Sequence, residues 1–150
     1  MDVEILELRQ REPGLIRALT GVWEDSVRAT HTFLTAAEIA SIKAFVPQAL
    51  EQVEHLIVLR DDTGRPAGFM GIQGHRLEML FLSPEARGKG FGKALLHYGI
   101  DYWGVSELTV NMQNPQAIGF YQCMGFTAYK ETPTDEEGRP YPLLYMRREP

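Results

Sequence analysis

Apolar residues recur along this chain with two spacings, one typical of helices and one typical of strands. Apolar residues three or four positions apart predict amphipathic helices, whereas short alternating or continuous apolar runs predict strands. The predicted helices cover residues 15–29, 36–50, 91–102 and 115–124. The predicted strands cover residues 3–8, 56–59, 67–72, 76–82, 107–112, 126–130 and 143–147. Strands and helices mixed in this way along the chain indicate an α/β protein.

Capping and breaking residues support several of these boundaries. Thr35, followed three residues later by Glu38, has the sequence of a capping box at the start of the second helix. Pro47 lies inside that helical pattern, so we expect the helix to kink or end near Val46. The fourth helix is expected to begin with Asn114 as its N-cap, because a proline follows at the first helical position.

Composition and charge narrow the class of protein. The chain has 150 residues, of which 44% are hydrophobic and 23% charged, so we expect a single domain over residues 1–150. A net charge of −5 argues against a general nucleic-acid-binding protein, which usually carries a basic face. The sequence shows no signal-peptide pattern or long apolar run, which predicts a cytoplasmic protein without a membrane partner. Cys123 is the single cysteine, so no internal disulfide can form.

The segment from Arg87 to Lys93 carries the clearest chemical signal. It contains three glycines at alternate positions and three cationic side chains, in the order Arg-Gly-Lys-Gly-Phe-Gly-Lys. Glycine lets the main chain approach a ligand closely, because it has no side chain to block the approach. A predicted strand precedes the segment and a predicted helix follows it. The main-chain amides of the segment therefore lie beside the positive N-terminal end of that helix. We therefore predict an anion site that suits a pyrophosphate.

Two common phosphate-binding motifs do not fit this segment. A P-loop needs glycine at the position of Arg87 and serine or threonine at the position of Ala94. A dinucleotide-binding turn needs the spacing Gly-x-Gly-x-x-Gly, whereas Gly88, Gly90 and Gly92 have one residue fewer before the last glycine. The segment therefore predicts neither an ATPase nor a dinucleotide-binding enzyme.

A second motif lies at the fourth predicted helix and, together with the glycine segment, points to a family. It spans residues 111–126 and has the form Asn-x-x-Asn-Pro-x-Ala-x-x-Phe-Tyr-x-x-x-Gly-Phe. The two motifs and the order of elements resemble the GNAT family of acetyl-coenzyme A-dependent N-acetyltransferases over essentially the whole chain. Residues 23–34 and 138–144 resemble more closely its small bacterial YjaB-type members. The resemblance implies an α/β GNAT fold, with a mixed central sheet of about seven strands and four helices, splayed between strands 4 and 5.

The resemblance also implies which residues bind the cosubstrate acetyl-coenzyme A. The main chain of Phe81 and Leu82, at the end of the fourth strand, would pair with the pantetheine arm, and Asn114 would hydrogen-bond to it. Tyr121 would lie near the thioester sulfur and protonate the departing thiolate, a task that suits a neutral phenol. Arg87 and the main-chain amides after it would hold the pyrophosphate. Those amides belong to Gly88, Lys89, Gly90, Phe91, Gly92 and Lys93.

The acceptor amine must lose a proton before it attacks a thioester, because a lysine-like amine has a pKa of about 10.4. We therefore expect a general base or a water chain to remove that proton. Glu78 is one candidate, because alternation places it on the same strand face as Leu80 and Leu82. His31 is a second candidate, since it lies close to the segment that forms one wall of the acceptor site in the resembled family. His75 is a third.

The expected function is the transfer of acetyl to a primary amine, directly and within a ternary complex, since no residue resembles an activated nucleophile. The acceptor would be a small-molecule amine or a protein lysine. The alternative from another class is a non-catalytic module that binds or senses acyl-coenzyme A. The four histidines show no metal-ligand spacing, so no metal is expected. A monomer and a homodimer are both compatible with the sequence.

Overall fold

The computed structural model describes residues 3–149 as a seven-stranded sheet that has helices on both faces. The strands are β1 (Glu4–Glu7), β2 (His55–Arg60), β3 (Pro66–Gln73), β4 (Arg76–Leu82), β5 (Glu107–Asn111), β6 (Thr127–Thr132) and β7 (Leu143–Arg147). The helices are α1 (Pro13–Thr30), α2 (Ala36–Lys43), α3 (Val46–Gln52), α4 (Phe91–Trp103) and α5 (Pro115–Cys123). The predicted fold and order of elements are confirmed, with the second predicted helix divided into α2 and α3.

Pro47 explains why α2 and α3 are separate helices. α2 begins with the predicted capping box, in which Thr35 and Glu38 exchange side-chain-to-amide hydrogen bonds of 3.0 and 3.1 Å. In one continuous helix, the ring of Pro47 would clash with the carbonyl of Lys43, four residues earlier. Instead α2 ends at Lys43, and Pro47 lies in the first turn of α3, where its missing N–H is not needed.

The sheet opens between β4 and β5, as the resemblance implies. Its strand order is β1-β2-β3-β4-β5-β7-β6, and every neighbouring pair is antiparallel except β4 and β5. These two parallel strands pair only near their starts, Arg76 with Glu107 and Leu77 with Leu108. β4 continues to Leu82 beyond these pairs, so its main chain borders a gap on the β5 side. A ligand can hydrogen-bond to the edge of a strand at such a gap.

The sheet is buried on both faces, and β2 shows this most clearly. Ile57 and Leu59 belong to a core shared with α4 and α5, whereas Leu56 and Val58 belong to a core shared with α1, α2 and α3. Alternate side chains of one strand thus serve two cores, which hold the sheet between two layers of helices. Of the helices within residues 3–149, none has the length and apolar character that spanning a membrane requires.

A β-bulge interrupts β4 at Glu78. Two adjacent residues of β3 pair with Leu77 and Met79, so the register passes over Glu78. Leu77 and Leu80 consequently contribute to the same core although they are three residues apart. The prediction that Glu78 shares a face with Leu80 depended on simple alternation. The bulge interrupts that alternation at Glu78, so alternation no longer supports this prediction.

Candidate active site

A cavity of about 390 Å³ lies beside the end of β4, within the size range typical of small-molecule sites. It is bordered by β4, the loop after it, the starts of α4 and α5, and the end of α1. Of the fourteen site residues considered from the sequence, eleven line this cavity, whereas Lys89 lines a neighbouring groove, Glu78 lines a smaller cavity and His75 lines none of the three. The eleven are His31, Phe81, Leu82, Arg87, Gly88, Gly90, Phe91, Gly92, Lys93, Asn114 and Tyr121.

Two glycines of the loop have backbone angles that other residues avoid. Gly88 has a φ of +75° and Gly90 a φ of +81°, both in the left-handed region. A side chain added at either position would meet nothing within 4 Å, so crowding is not what requires glycine there. The turn itself requires it, because an L-residue in this region is strained. This turn leads directly into α4, with Gly90 as the N-cap.

The first turn of α4 presents main-chain amides that the helix itself does not use. The first helical hydrogen bond runs from the Ala94 amide to the Gly90 carbonyl at 3.0 Å. The amides of residues 91–93 precede it and therefore have no partner inside the helix. The N-cap is Gly90, which has no side chain that could accept hydrogen bonds from these amides. Together with the side chains of Arg87 and Lys93, these amides favour the binding of an anion.

The main chain at the end of β4 faces β3 and the open gap alternately. The Ser83 amide donates to the Ala67 carbonyl of β3 at 2.9 Å, so the main chain of Phe81, two residues earlier, also faces β3. The main chain of Leu80 and Leu82 then faces the gap. Leu82 can therefore play the predicted main-chain role, whereas Phe81 lines the cavity but has its main chain turned to β3, which argues against that role for Phe81. Leu80 is an additional main-chain position that was not predicted from the sequence.

Asn114 begins α5 in the way that the sequence predicts. Its side-chain oxygen accepts a hydrogen bond from the Ala117 amide at 3.2 Å, and Pro115 follows as the first helical residue. This cap uses the side-chain oxygen and leaves the NH₂ group as a donor. Because Asn114 lines the cavity, a ligand there can accept a hydrogen bond from this NH₂ group.

Tyr121 lies further along α5 in apolar surroundings. Its ring packs against Phe120 and Phe126, with centroids 5.2 and 6.1 Å away. Burial raises the pKa of the Tyr121 hydroxyl well above its usual value. The hydroxyl is therefore fully protonated near neutral pH and is available as a hydrogen-bond donor.

A second cavity, of about 140 Å³, shares His31, Asn114 and Tyr121 with the first. Glu78 is titratable and lines the smaller cavity but not the larger one. Burial raises the pKa of Glu78, and the Arg76 guanidinium 3.5 Å away opposes that shift. A cationic ligand in the smaller cavity would therefore meet a carboxyl group at its wall.

His31 lies directly after α1 and lines both cavities. Its main-chain amide donates to the Val27 carbonyl at 2.8 Å, and its Nδ1 lies 2.7 Å from the Thr30 hydroxyl oxygen. Burial lowers the pKa of His31, and the positive charge of Arg87 lowers it further. The imidazole is therefore neutral near neutral pH and able to accept a proton.

Two segments far apart in the sequence meet beside His31. The Phe33 ring centroid lies 5.4 Å from that of His31 and 6.4 Å from that of Tyr141. The Tyr141 hydroxyl donates to the Glu38 carboxylate. This hydrogen bond lowers the pKa of Glu38 and raises the pKa of Tyr141. The loop between β6 and β7 is thereby held against the connection between α1 and α2.

Two residues considered from the sequence lie away from both cavities. His75 is exposed in the turn between β3 and β4, where its Nδ1 lies 3.3 Å from the Trp103 carbonyl oxygen. The Cys123 thiol is exposed at the end of α5. Neither lines the site, so His75 is a poor candidate for the general base and Cys123 for a nucleophile. In the described part of the chain, no three His, Cys, Asp or Glu side chains cluster closely enough to hold a metal ion.

The larger cavity is also lined by residues for which no role was predicted from the sequence. Spacing along α5 would have indicated some of them, since they lie within one or two turns of Asn114 and Tyr121. The residues on α1 carry no separate signal, because their relation to the site depends on how α1 packs on the sheet. These residues are Ser26, Thr30, Leu80, Gln116, Ala117 and Phe120.

Residues 24–146 match the protein family described as Acetyltransferase (GNAT) domain. The chain is 39% identical to the peptidyl-lysine N-acetyltransferase YjaB of Salmonella typhimurium, over 85% of this chain and 88% of that protein. It is 36% identical to the peptidyl-lysine N-acetyltransferase YjaB of Escherichia coli K12, over 95% of this chain and 96% of that protein. The solution structure of apo-form YjaB from Escherichia coli has a TM-score of 0.86 and covers 98% of this chain and 97% of that one, at 33% identity.

A more distant structure shares the fold and contains coenzyme A. It is the PaiA N-acetyltransferase of Thermoplasma acidophilum in complex with coenzyme A, with a TM-score of 0.71 and 20% identity. The likeness covers 99% of this chain and 100% of that one. At this level of identity it concerns the fold alone.

Proposed function

The chain belongs to the GNAT family of N-acetyltransferases, and from this premise we propose that it transfers acetyl from acetyl-coenzyme A directly to a primary amine. The observation that carries the proposal is that the glycine loop, the capped start of α5 and two acid–base side chains border one cavity. The first two features suit the pyrophosphate and the pantetheine of the cosubstrate. His31 and Tyr121 suit proton transfer at its thioester. Direct transfer requires that the amine and acetyl-coenzyme A be bound together, in a ternary complex.

The donor side of the site would hold acetyl-coenzyme A mainly through main-chain groups. The amides of residues 88–93, with the charges of Arg87 and Lys93, would bind the pyrophosphate. The main chain of Leu80 and Leu82 would hydrogen-bond to the pantetheine arm, as an edge strand does to an added strand. The NH₂ group of Asn114 would donate to the same arm. The cosubstrate itself supplies the activated acetyl group, as a thioester.

Tyr121 would assist the departure of the thiolate. As the amine nitrogen bonds to the acetyl carbon, the carbon–sulfur bond breaks and negative charge develops on sulfur. The protonated Tyr121 hydroxyl can donate a hydrogen bond, and then its proton, to that sulfur. Burial raises the pKa of Tyr121, and the same surroundings would raise the pKa of a thiol, so the two groups shift in the same direction.

His31 would accept the proton that the amine loses. It is neutral near neutral pH and lines both cavities, so it can face an acceptor in one and the thioester in the other. Glu78 lines the smaller cavity and pairs with Arg76. We therefore assign Glu78 to attracting a cationic amine, and His31 to deprotonating it.

A protein lysine is the acceptor that we favour among primary amines. The Salmonella typhimurium and Escherichia coli relatives are both named peptidyl-lysine N-acetyltransferases. The smaller cavity, at about 140 Å³, has room for the end of an alkylamine and little more. Glu78 and Glu136 share one partner, Arg76, whose guanidinium lies 3.5 Å and 2.7 Å from their carboxylates. Two carboxylates around one guanidinium leave net negative charge, which attracts an ammonium group.

A panel of acceptors tests this proposal, with the free thiol of coenzyme A as the readout. The panel contains a peptide with one lysine and a blocked N-terminus, a peptide whose only amine is its N-terminus, a polyamine and a free amino acid. We expect release of thiol with the lysine peptide and acetylation of its Nζ, identified by mass spectrometry. The same peptide with an acetylated lysine is the control and should release none.

The outcomes separate the parts of the proposal. Preference for another amine would overturn the lysine assignment alone. A protein that binds acetyl-coenzyme A tightly but releases no free coenzyme A thiol when any of these amines is added would instead favour a binding module. An acetylated protein after incubation with acetyl-coenzyme A alone, competent to pass its acetyl group to an amine, would contradict direct transfer.

A further inference from the structure

The last turn of α1 contains a chain of hydrogen bonds that ends on His31. Thr30 is the final residue of α1, and its hydroxyl oxygen lies 2.8 Å from the Ser26 carbonyl oxygen, one turn earlier. The same hydroxyl oxygen lies 2.7 Å from Nδ1 of His31. All three residues line the larger cavity. The chain of bonds therefore runs from the helix main chain to the imidazole ring.

The two contacts of Thr30 determine which ring nitrogen of His31 carries hydrogen. A carbonyl oxygen has no hydrogen to donate, so the bond to Ser26 uses the single hydroxyl hydrogen of Thr30. The Thr30 oxygen can therefore only accept from His31, and Nδ1 must be the donor. A neutral imidazole with hydrogen on Nδ1 has its free lone pair on Nε2.

We propose that Thr30 is a positioning residue that holds His31 in the tautomer with hydrogen on Nδ1, which leaves Nε2 to accept the proton of the attacking amine. This inference rests on the proposed role of His31 as the general base. In the other tautomer, Nε2 would already carry a hydrogen and could not accept another. When Nε2 takes the proton, the amine nitrogen keeps the electron pair with which it bonds to the acetyl carbon. The bond from Nδ1 to Thr30 persists in the imidazolium, because both ring nitrogens are then donors.

The contact with Ser26 would not by itself indicate a role, because threonine hydroxyls often bond to a carbonyl one turn earlier in a helix. Thr20 makes such a bond to the Ile16 carbonyl at 2.7 Å on the same helix. Thr20 lies outside both cavities of the site. Thr30 differs from it by the second contact, to His31. Thr20 therefore provides a matched control.

Nitrogen-15 NMR of the histidine rings tests the tautomer directly, in the full chain and without cosubstrate. At about pH 8, where a histidine of ordinary or lowered pKa is neutral, we expect hydrogen on Nδ1 of His31 and none on Nε2. Thr30→Val keeps the shape of the side chain and removes its hydroxyl, so it should shift His31 toward the tautomer with hydrogen on Nε2. Thr30→Ser and Thr20→Val should both keep the wild-type signals. The spectrum of His31→Gln identifies which signals belong to His31.

Turnover gives the second readout. We expect kcat to fall about tenfold in Thr30→Val and to stay within about twofold in Thr30→Ser and Thr20→Val. Hydrogen on Nε2 in the wild type, or an unchanged tautomer in Thr30→Val, would overturn the proposal. A changed tautomer with full turnover would also overturn it, because the tautomer would then not matter to catalysis. Full turnover in His31→Gln would refute the general base itself, a result distinguishable from the NMR outcome.

Discussion

The proposed site has a donor side, formed by the glycine loop and the starts of α4 and α5, and an acceptor side, formed around Glu78 and by the loop that contains Tyr141. The hydrogen bonds that shape the glycine loop and the helix starts join residues close together in the sequence, whereas those that shape the acceptor side join residues far apart. The Gly90 carbonyl accepts from an amide four residues later, and Asn114 caps its helix three residues later. In contrast, the bond between Tyr141 and Glu38 spans 103 residues, and the pair of Arg76 and Glu136 spans 60. The donor side is thus formed by local turns and helix starts, and the acceptor side by tertiary contacts.

The shape of the donor side therefore depends on local turns, and the shape of the acceptor side depends on tertiary contacts between side chains. Local turns present main-chain groups, which suit the constant parts of a cosubstrate and tolerate change in the side chains around them. Tertiary contacts present side chains, so the acceptor side can change its chemistry while the donor side keeps its shape. If the comparison holds, substitutions on one side should alter the kinetics of one substrate and leave the other nearly unchanged.

Tyr121→Phe should have the largest effect, because Tyr121 lines both cavities and is the proposed proton donor to the thiolate. We expect kcat to fall by about a hundredfold or more, since general acid catalysis typically contributes that much. The ring contacts with Phe120 and Phe126 are retained, so the dissociation constant of acetyl-coenzyme A should change by less than about twofold. Steady-state kinetics and calorimetric titration with acetyl-coenzyme A measure the two quantities. Equal loss of binding and turnover would sink the acid role of Tyr121.

Gly90→Ala should weaken the donor side alone. Alanine in the left-handed region costs about 1–2 kcal/mol, so we expect the loop to relax and acetyl-coenzyme A affinity to fall about tenfold. Gly64 is the matched control, because it has the same φ of +81° in the turn between β2 and β3 and the same open space around it. Gly64→Ala should lower thermal stability to a similar degree and leave the affinity for acetyl-coenzyme A unchanged. An equal loss of affinity in both variants would show that the effect is global strain.

The same comparison explains how much of this molecule could be predicted from its sequence. The bounds of β4 and β7, the Asn114 cap and the glycine loop follow from short patterns, and the structure has them where the patterns indicate. The bulge at Glu78 could not be predicted, because it arises from the register of β4 against β3. The bond between Tyr141 and Glu38 could not be predicted either. Nothing local to Tyr141 indicates that its loop packs beside α2.

Tyr141→Phe should weaken the acceptor side alone, by a moderate amount. Without its hydroxyl, the loop between β6 and β7 loses the bond to Glu38, and we expect the KM for the amine to rise about two- to fivefold. The KM for acetyl-coenzyme A should not change. Glu38→Gln is a useful companion, because glutamine at this position still completes a capping box. The effect of Tyr141→Phe should be smaller in the Glu38→Gln background, and strict additivity would mean that the two side chains act separately.

Arg87→Gln should give the smallest effect and the sharpest test of the comparison, because Arg87 links the two sides. It belongs to the donor loop, yet its charge disfavours the imidazolium form of His31 and so lowers the pKa of His31. Removing that charge should raise the pKa of His31, because the protonated ring is then opposed by burial alone. Titration of His31 by NMR, without cosubstrate, measures this shift independently of any loss of acetyl-coenzyme A binding.

Lys93→Gln is the control for this effect, since Lys93 lines the same cavity but does not shift His31. If His31 must be neutral to act as the base, the acidic limb of the pH profile of kcat/KM for acetyl-coenzyme A, which reports the free enzyme, should move to higher pH in Arg87→Gln and stay in place in Lys93→Gln. An anion that neutralises Arg87 acts with the same sign, so pyrophosphate bound at the loop should itself raise the pKa of His31. An unchanged pKa in Arg87→Gln would mean that burial alone depresses it, and the two sides of the site would then be electrostatically independent.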